Sequence, residues 1–104
     1  MNKRKGINEI VSLLCVSLRH EIGSKLIVNK EQALKYAKDA NILFNNATKT
    51  VKKYNFNSKD KKELKEKLEN KLFNELKSKD FINDQKYYLM EDEIVKVLKR
   101  LKLI

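Results

Sequence analysis

Residues that form tight turns are almost absent from this sequence. The chain has 104 residues, no proline and only two glycines, Gly6 and Gly23. β-Sandwiches and barrels need many glycine- or proline-containing turns, so this composition argues against both. Lysine, leucine and glutamate, which favour helices, are frequent instead, whereas asparagine, isoleucine and valine do not favour helices, so the spacing of the apolar residues decides. We therefore expect an all-α fold.

Apolar residues recur with helical spacing in four segments of the chain. A length of 104 residues suits one domain, and no linker or internal repeat divides it. The sequence therefore predicts a single domain over residues 1–104, a compact bundle of about four helices with a long second and fourth helix. The predicted helices lie near residues 8–22, 30–54, 59–78 and 85–103.

The first predicted helix is apolar around most of its circumference. Asn8 can cap its beginning, and Gly23 can end it in a left-handed conformation. Between residues 10 and 18 only Ser12 and Ser17 are polar. Such a helix needs cover on several sides, so it is either the central helix of the bundle or half of an oligomer interface.

The second predicted helix carries a narrow apolar stripe that is rich in alanine. Its start resembles a capping box, with Asn29 followed three residues later by Gln32. Four alanines in the stripe indicate that another helix approaches closely, with Phe44 as the main anchor. We expect this face to be an interface, formed by Ala33, Ala37, Ala40, Phe44, Ala47 and Val51 and continued by Tyr54.

Part of the same segment also resembles a helix-turn-helix. Ala37, Asn41 and Ile42 have the spacing of the small residue, the turn residue and the apolar residue in that motif. Residues 30–39 would then support a recognition helix over 43–54, although the unbroken apolar stripe favours one continuous helix. The residues that would contact nucleic acid are Asn45, Asn46, Lys49, Lys52 and Lys53, with asparagine suited to adenine edges and lysine to phosphates.

The third and fourth predicted helices are amphipathic. Four leucines repeat every four residues in the third helix, at Leu64, Leu68, Leu72 and Leu76. Asn57 or Ser58 can cap its start. The fourth helix begins either at Gln85 or, if residues 85–90 are extended, near Glu91. Its apolar arc comprises Tyr87, Met90, Ile94, Val97, Leu98 and Leu101.

The net charge is +10, from 24 lysines and arginines against 14 acids. Such an excess attracts polyanions such as nucleic acid. Only three of the cations are arginines, the residue best suited to phosphate and guanine, and an AT-rich genome also enriches lysine and asparagine. A C-terminal cluster of Lys96, Lys99, Arg100 and Lys102 is either a phosphate-contact patch or a set of cations that complements the negative end of its helix.

The sequence lacks the usual parts of an enzyme active site. His20 is the only histidine, Cys15 the only cysteine, and there is no glycine-rich phosphate loop. We expect His20 to be a partly exposed helix residue and Cys15 a buried apolar one. The acids at 91–93 and those of the third helix should project into solvent. The sequence thus predicts neither catalysis nor a metal or cofactor.

The N-terminal residues 3–18 resemble the front of a signal peptide only in part. Basic residues precede an apolar stretch, but Asn8 and Glu9 interrupt it, and no small-x-small cleavage site follows. No run is long enough to span a membrane, so we expect a cytoplasmic protein. Its predicted function is that of a small binding module for a protein partner or a second copy of itself, and the alternative is nucleic-acid binding by residues 30–54 or a lysine-rich face.

Overall fold

Four α-helices form the structure, a computed structural model that describes residues 3–80 and 82–104. No β-strand occurs in these two ranges. The prediction of an all-α bundle of four helices is confirmed. The helices are α1 (Lys3–Leu26), α2 (Lys30–Val51), α3 (Ser58–Lys77) and α4 (Gln85–Arg100).

Helix α1 is the centre of the bundle. It packs against each of the other three helices, and α3 also packs against α4. Within the described ranges, α2 lies closely against α1 alone. Helices α1 and α3 run in the same direction, since Lys3 pairs with Asp60 near their beginnings and Arg19 with Glu75 further along. The extensive apolar surface of α1 is therefore covered by its own chain, as expected of a central helix.

The core consists of aliphatic side chains that meet around α1. All four predicted leucines of α3 are fully buried, and so are Ile94 and Leu98 of α4. Burial of this kind contributes roughly 1.5–3 kcal/mol for each large aliphatic side chain. None of the helices in the described part of the chain is both long and apolar enough to cross a bilayer. From α1 the core receives Ile7, Ile10, Leu14, Cys15, Leu18 and Ile22.

Helix α1 extends well beyond its predicted limits, and the expected caps at Asn8 and Gly23 are wrong. Both glycines lie inside the helix with negative φ. A Cβ on Gly6 would lie 2.6 Å from the Tyr54 ring, and one on Gly23 would lie 2.8 Å from the Tyr36 ring. The glycines therefore allow two tyrosine rings from α2 and the segment after it to approach the α1 backbone, and neither ends the helix.

Helix α2 is continuous through residues 41–43, so the turn of a helix-turn-helix is absent there. Asn29 caps the helix as predicted, because its side chain accepts a hydrogen bond from the backbone N–H of Gln32. The alanine-rich stripe packs against α1 on both sides of Asn41, which holds this stretch in one helix. The helix ends at Val51, three residues before the predicted limit.

Helices α3 and α4 begin close to where the sequence places them. Asn57 and Asp60 form a reciprocal capping box at the start of α3. Helix α4 starts at Gln85 and ends at Arg100, three residues early. The prediction that it is long is wrong, since its 16 residues make it the shortest of the four described helices. It ends there because Lys102 adopts a left-handed conformation with φ of 59°. The N–H of Leu103 then donates to the carbonyl of Leu98 at 2.8 Å, a Schellman arrangement that returns the Leu103 side chain to the core.

Candidate functional site

The alanine-rich stripe of α2 is an interface, but with α1 of the same chain. Ala40, Phe44 and Ala47 are buried between the two helices. The two backbones approach so closely that the Ser17 hydroxyl of α1 donates to the Ala40 carbonyl at 2.7 Å. This central part of the predicted interface is therefore not accessible to another molecule. Three further predicted members, Ala33, Ala37 and Val51, are half-buried.

The N-terminal end of α2 does leave apolar surface exposed. Leu34 is 72% exposed and forms one wall of a shallow cleft of about 310 Å³ with Ala33, Ala37 and Ser24. Val28, in the connection before α2, is 96% exposed. Val28 and Leu34 together form a small exposed apolar surface at one end of the bundle.

The opposite side of α2 faces solvent along its length. All five predicted nucleic-acid contacts are exposed. Asn45, Asn46 and Lys49 lie on the side of α2 away from Ala40 and Phe44, and Lys52 and Lys53 follow in the turn after the helix. Lys35 and Lys38 extend the same side toward the N-terminus, and Ile42 lies at its centre, half exposed. We call this surface the lysine face, which comprises Lys35, Lys38, Asn45, Asn46, Lys49, Lys52 and Lys53.

The lysines of this face form no ion pairs within the described part of the chain. Among the described residues, none of the five lysines has an ion pair or a hydrogen bond through its side chain. The interhelical ion pairs of the described residues join α1, α3 and α4 instead, as at Arg19–Glu75 and Lys65–Glu91. Lys35 and Lys38 were missed at the sequence level because the helix-turn-helix alternative assigned residues 30–39 to a supporting helix. A single helical wheel over residues 30–53 places them on the same side.

A groove of about 380 Å³ separates α2 from α4, and α1 forms its floor. We call it the α2–α4 groove. Its apolar lining residues are Leu18, Ala40, Phe44 and Val97, and its other lining residues are polar or charged. Three members of the predicted C-terminal cationic cluster, Lys96, Lys99 and Arg100, line this groove.

Glu93 lies at the bottom of this groove, and the prediction that it projects into solvent is wrong. It is only 4% exposed, and its carboxylate accepts hydrogen bonds from Lys25 at 2.6 Å and is paired with Lys96 at 3.1 Å. Burial acts to raise the pKa of the Glu93 carboxyl, but the two ammonium groups outweigh it and the pKa lies below its usual range. Lys25 and Glu93 are 68 positions apart, so no local pattern indicates the pair.

Cys15 and His20 occupy the environments that the sequence predicts. Cys15 is fully buried, and burial raises the pKa of its thiol to about 11, which disfavours the reactive thiolate. His20 is half-buried on α1, with Nδ1 2.9 Å from the Val16 carbonyl oxygen and its ring edge-on to Tyr36. The described residues contain no group of three or more potential metal ligands.

Comparisons with known proteins identified no relative of this chain. No profile of a known protein family, no curated protein and no solved structure matches the chain.

Proposed function

We propose that this protein is a non-enzymatic binding module whose ligand is a nucleic-acid duplex, bound through the lysine face of α2. The observation that carries the proposal is a row of five exposed lysines without ion pairs, three on the outer side of α2 (Lys35, Lys38 and Lys49) and two in the turn directly after it (Lys52 and Lys53). A fold gains no stability from grouping like charges in this way, whereas a polyanion binds them and releases its counterions.

The geometry of α2 suits such a ligand. The helix is attached to the bundle along one side only, so its outer half is free to enter a groove. From Lys35 to Lys49 the helical part of the lysine face spans ~21 Å, at 1.5 Å for each residue. The major groove of duplex DNA is wide enough to admit one α-helix.

The residues between the lysines offer base contacts as well as phosphate contacts. Asn45 and Asn46 can each donate and accept hydrogen bonds at an adenine edge. Ile42, half exposed between them and Lys38, can contact a thymine methyl group. We therefore expect a preference for A·T-rich duplexes, superimposed on binding that is mainly electrostatic.

A cytoplasmic location accords with this function. The free, buried Cys15 suits a reducing compartment, where thiols do not need a disulfide partner.

The test compares two triple variants that remove the same charge from different surfaces. One is K38Q/K49Q/K53Q on the lysine face, and its control is K59Q/K61Q/K62Q at the beginning of α3. Fluorescence anisotropy with a labelled duplex of about 20 base pairs, about two helical turns, gives Kd as a function of salt. For the wild type we expect a log–log slope of about −4 to −5, and the lysine-face variant should reduce its magnitude by roughly 3. Equal losses in both variants, or no wild-type binding even at low salt, would refute the proposal.

Protein–protein interaction or self-association is a second candidate, and the exposed apolar end of the bundle favours it. Val28 and Leu34 are largely exposed there, although most of the apolar surface that motivated this function lies inside the fold. Sedimentation velocity over a range of concentrations tests self-association. A concentration-dependent dimer that is lost in Leu34→Ser would support it, and a monomer at all concentrations would exclude self-association.

A further inference from the structure

Arg100 holds its guanidinium group at the α2–α4 groove without an acidic partner. The central carbon of the guanidinium lies 3.9 Å from the centroid of the Phe44 ring, on the facing helix. A cation–π contact of this kind holds the guanidinium over the ring without using its N–H groups as hydrogen-bond donors to a carboxylate. No hydrogen bond or ion pair of the described residues uses those N–H groups.

The other charges of the groove leave it positive. Lys25 and Lys96 both form ion pairs with Glu93, and the Lys25 ammonium also lies 3.9 Å from the Glu21 carboxylate. The two positive charges of these lysines are therefore balanced by the two negative charges of the acids. Lys99 and Arg100 remain, neither of them with an acidic partner among the described residues. An anion that enters the groove therefore meets two uncompensated positive charges.

Apart from these charged residues, the groove is lined by the polar residues Ser17 and Asn41 and by four apolar ones. Leu18 lies on the α1 floor, Ala40 and Phe44 on the α2 wall and Val97 on the α4 wall. A volume of about 380 Å³ is at the lower end of the range for small-molecule sites, which is roughly 300–1,000 Å³. A fully hydrated inorganic anion would gain nothing from these walls, whereas an anion with an apolar body would bury it there.

We propose that the α2–α4 groove binds a small amphipathic anion. Its carboxylate or phosphate headgroup is held by the Arg100 guanidinium and by Lys99, and its apolar body lies along Leu18, Ala40 and Val97. The planar fork of Arg100 matches two oxygens of either headgroup. The site is on the flank of α2 and is separate from the lysine face, so it does not depend on the nucleic-acid proposal.

Four simple probes test this assignment with the full chain. Octanoate and octyl phosphate carry the two candidate headgroups, octyltrimethylammonium carries the opposite charge on the same tail, and acetate lacks the tail. Binding is followed by titration in ¹H–¹⁵N correlation spectra, which also locates the site. We expect saturable shifts at Ala40, Val97 and Arg100 with octanoate or octyl phosphate, whichever headgroup is preferred. Acetate should bind at least tenfold more weakly.

Variants of Arg100 distinguish the contribution of its bidentate hydrogen bonding from that of its positive charge. Arg100→Gln should weaken binding of the preferred probe at least tenfold. Arg100→Lys, which keeps the charge and loses the fork, should weaken it severalfold. The matched control is Arg4→Gln, an exposed arginine at the beginning of α1, which should leave affinity unchanged.

Three results would overturn the proposal. The first is no saturable binding of either anionic probe up to ~10 mM, where any site with a Kd near 1 mM would be filled. The second is equal binding of octyltrimethylammonium and octanoate. The third is unchanged affinity in Arg100→Gln.

Discussion

Helices α1 and α2 are nearly equal in length, 24 and 22 residues, and lie side by side, but the fold uses them differently. Helix α1 is covered by three helices, and its apolar residues extend around most of its circumference. The backbone of helix α2 packs on α1 alone, along one narrow stripe, and from α4 it is contacted by the Arg100 side chain over Phe44. The difference teaches that the width of the apolar surface decides whether a helix is central or peripheral. A peripheral helix leaves about half of its surface exposed to solvent.

The largest expected effect on stability comes from removing a buried side chain of α1. Leu14→Ala should lower the free energy of unfolding by about 3–4 kcal/mol, because Leu14 is fully buried and its loss leaves a cavity. Leu34→Ala on α2, where the side chain is largely exposed, should change it by less than about 0.5 kcal/mol. Urea denaturation measures both. Similar losses in the two variants would contradict the assignment of α1 as the centre.

The buried ion pair between α1 and α4 gives the next largest effect. Glu93→Gln should lower the free energy of unfolding by about 2 kcal/mol, less than for a fully buried pair because Lys25 is partly exposed. The control is Glu66→Gln, an exposed acid of α3 with no ion pair among the described residues, which should have little effect.

The same pair predicts a pH dependence. The pKa of Glu93 is lower in the folded protein than the ordinary glutamate value of 4.5. Its contribution to stability is therefore complete well above that value and is lost as the pH falls through the lowered pKa. The stability difference between the wild type and Glu93→Gln should shrink as the pH falls from 6 to below 4. A difference that stays constant would show that the carboxylate charge is not what stabilises the pair.

Much of the bundle could be predicted because its determinants are local. The leucines of α3, the stripe of α2 and the Asn57 cap each lie within one helical segment, so periodicity and capping rules identify them. Exposure of Asn45, Asn46 and Lys49 follows from the same stripe, since the side opposite a buried face is solvated.

The features that could not be predicted depend on tertiary contacts. The sequence indicates that Gly23 ends a helix, but Gly23 lies inside α1, where the absence of a Cβ allows the Tyr36 ring to pack against the helix backbone. After the end of α4, Lys102 adopts a left-handed conformation that is usually found at glycine. The resulting turn returns the Leu103 side chain to the core, and this tertiary contact stabilises the conformation. The α2–α4 groove likewise combines residues from three helices that no local pattern connects.

A smaller effect is expected where α1 and α2 approach each other. Gly23→Ala should lower the free energy of unfolding by about 1 kcal/mol, because the clash of its Cβ with the Tyr36 ring exceeds the gain of about 1 kcal/mol in helix propensity. In a Tyr36→Ala background the ring is gone, and the same substitution should become stabilising. Thermal unfolding of the four proteins forms a double-mutant cycle. Additive effects would mean that the ring does not cause the clash.

The smallest effect on stability should come from the outer side of α2. Ile42→Ala should change the free energy of unfolding by less than about 0.5 kcal/mol, because Ile42 is half exposed and alanine has the higher helix propensity. If the lysine face binds duplex, the same substitution should reduce the preference for A·T-rich over G·C-rich sequence and leave the salt dependence unchanged, since no charge is removed. Anisotropy with the two duplexes separates these effects. A large loss of stability would mean that Ile42 contributes to the core and that α2 is less peripheral than its packing indicates.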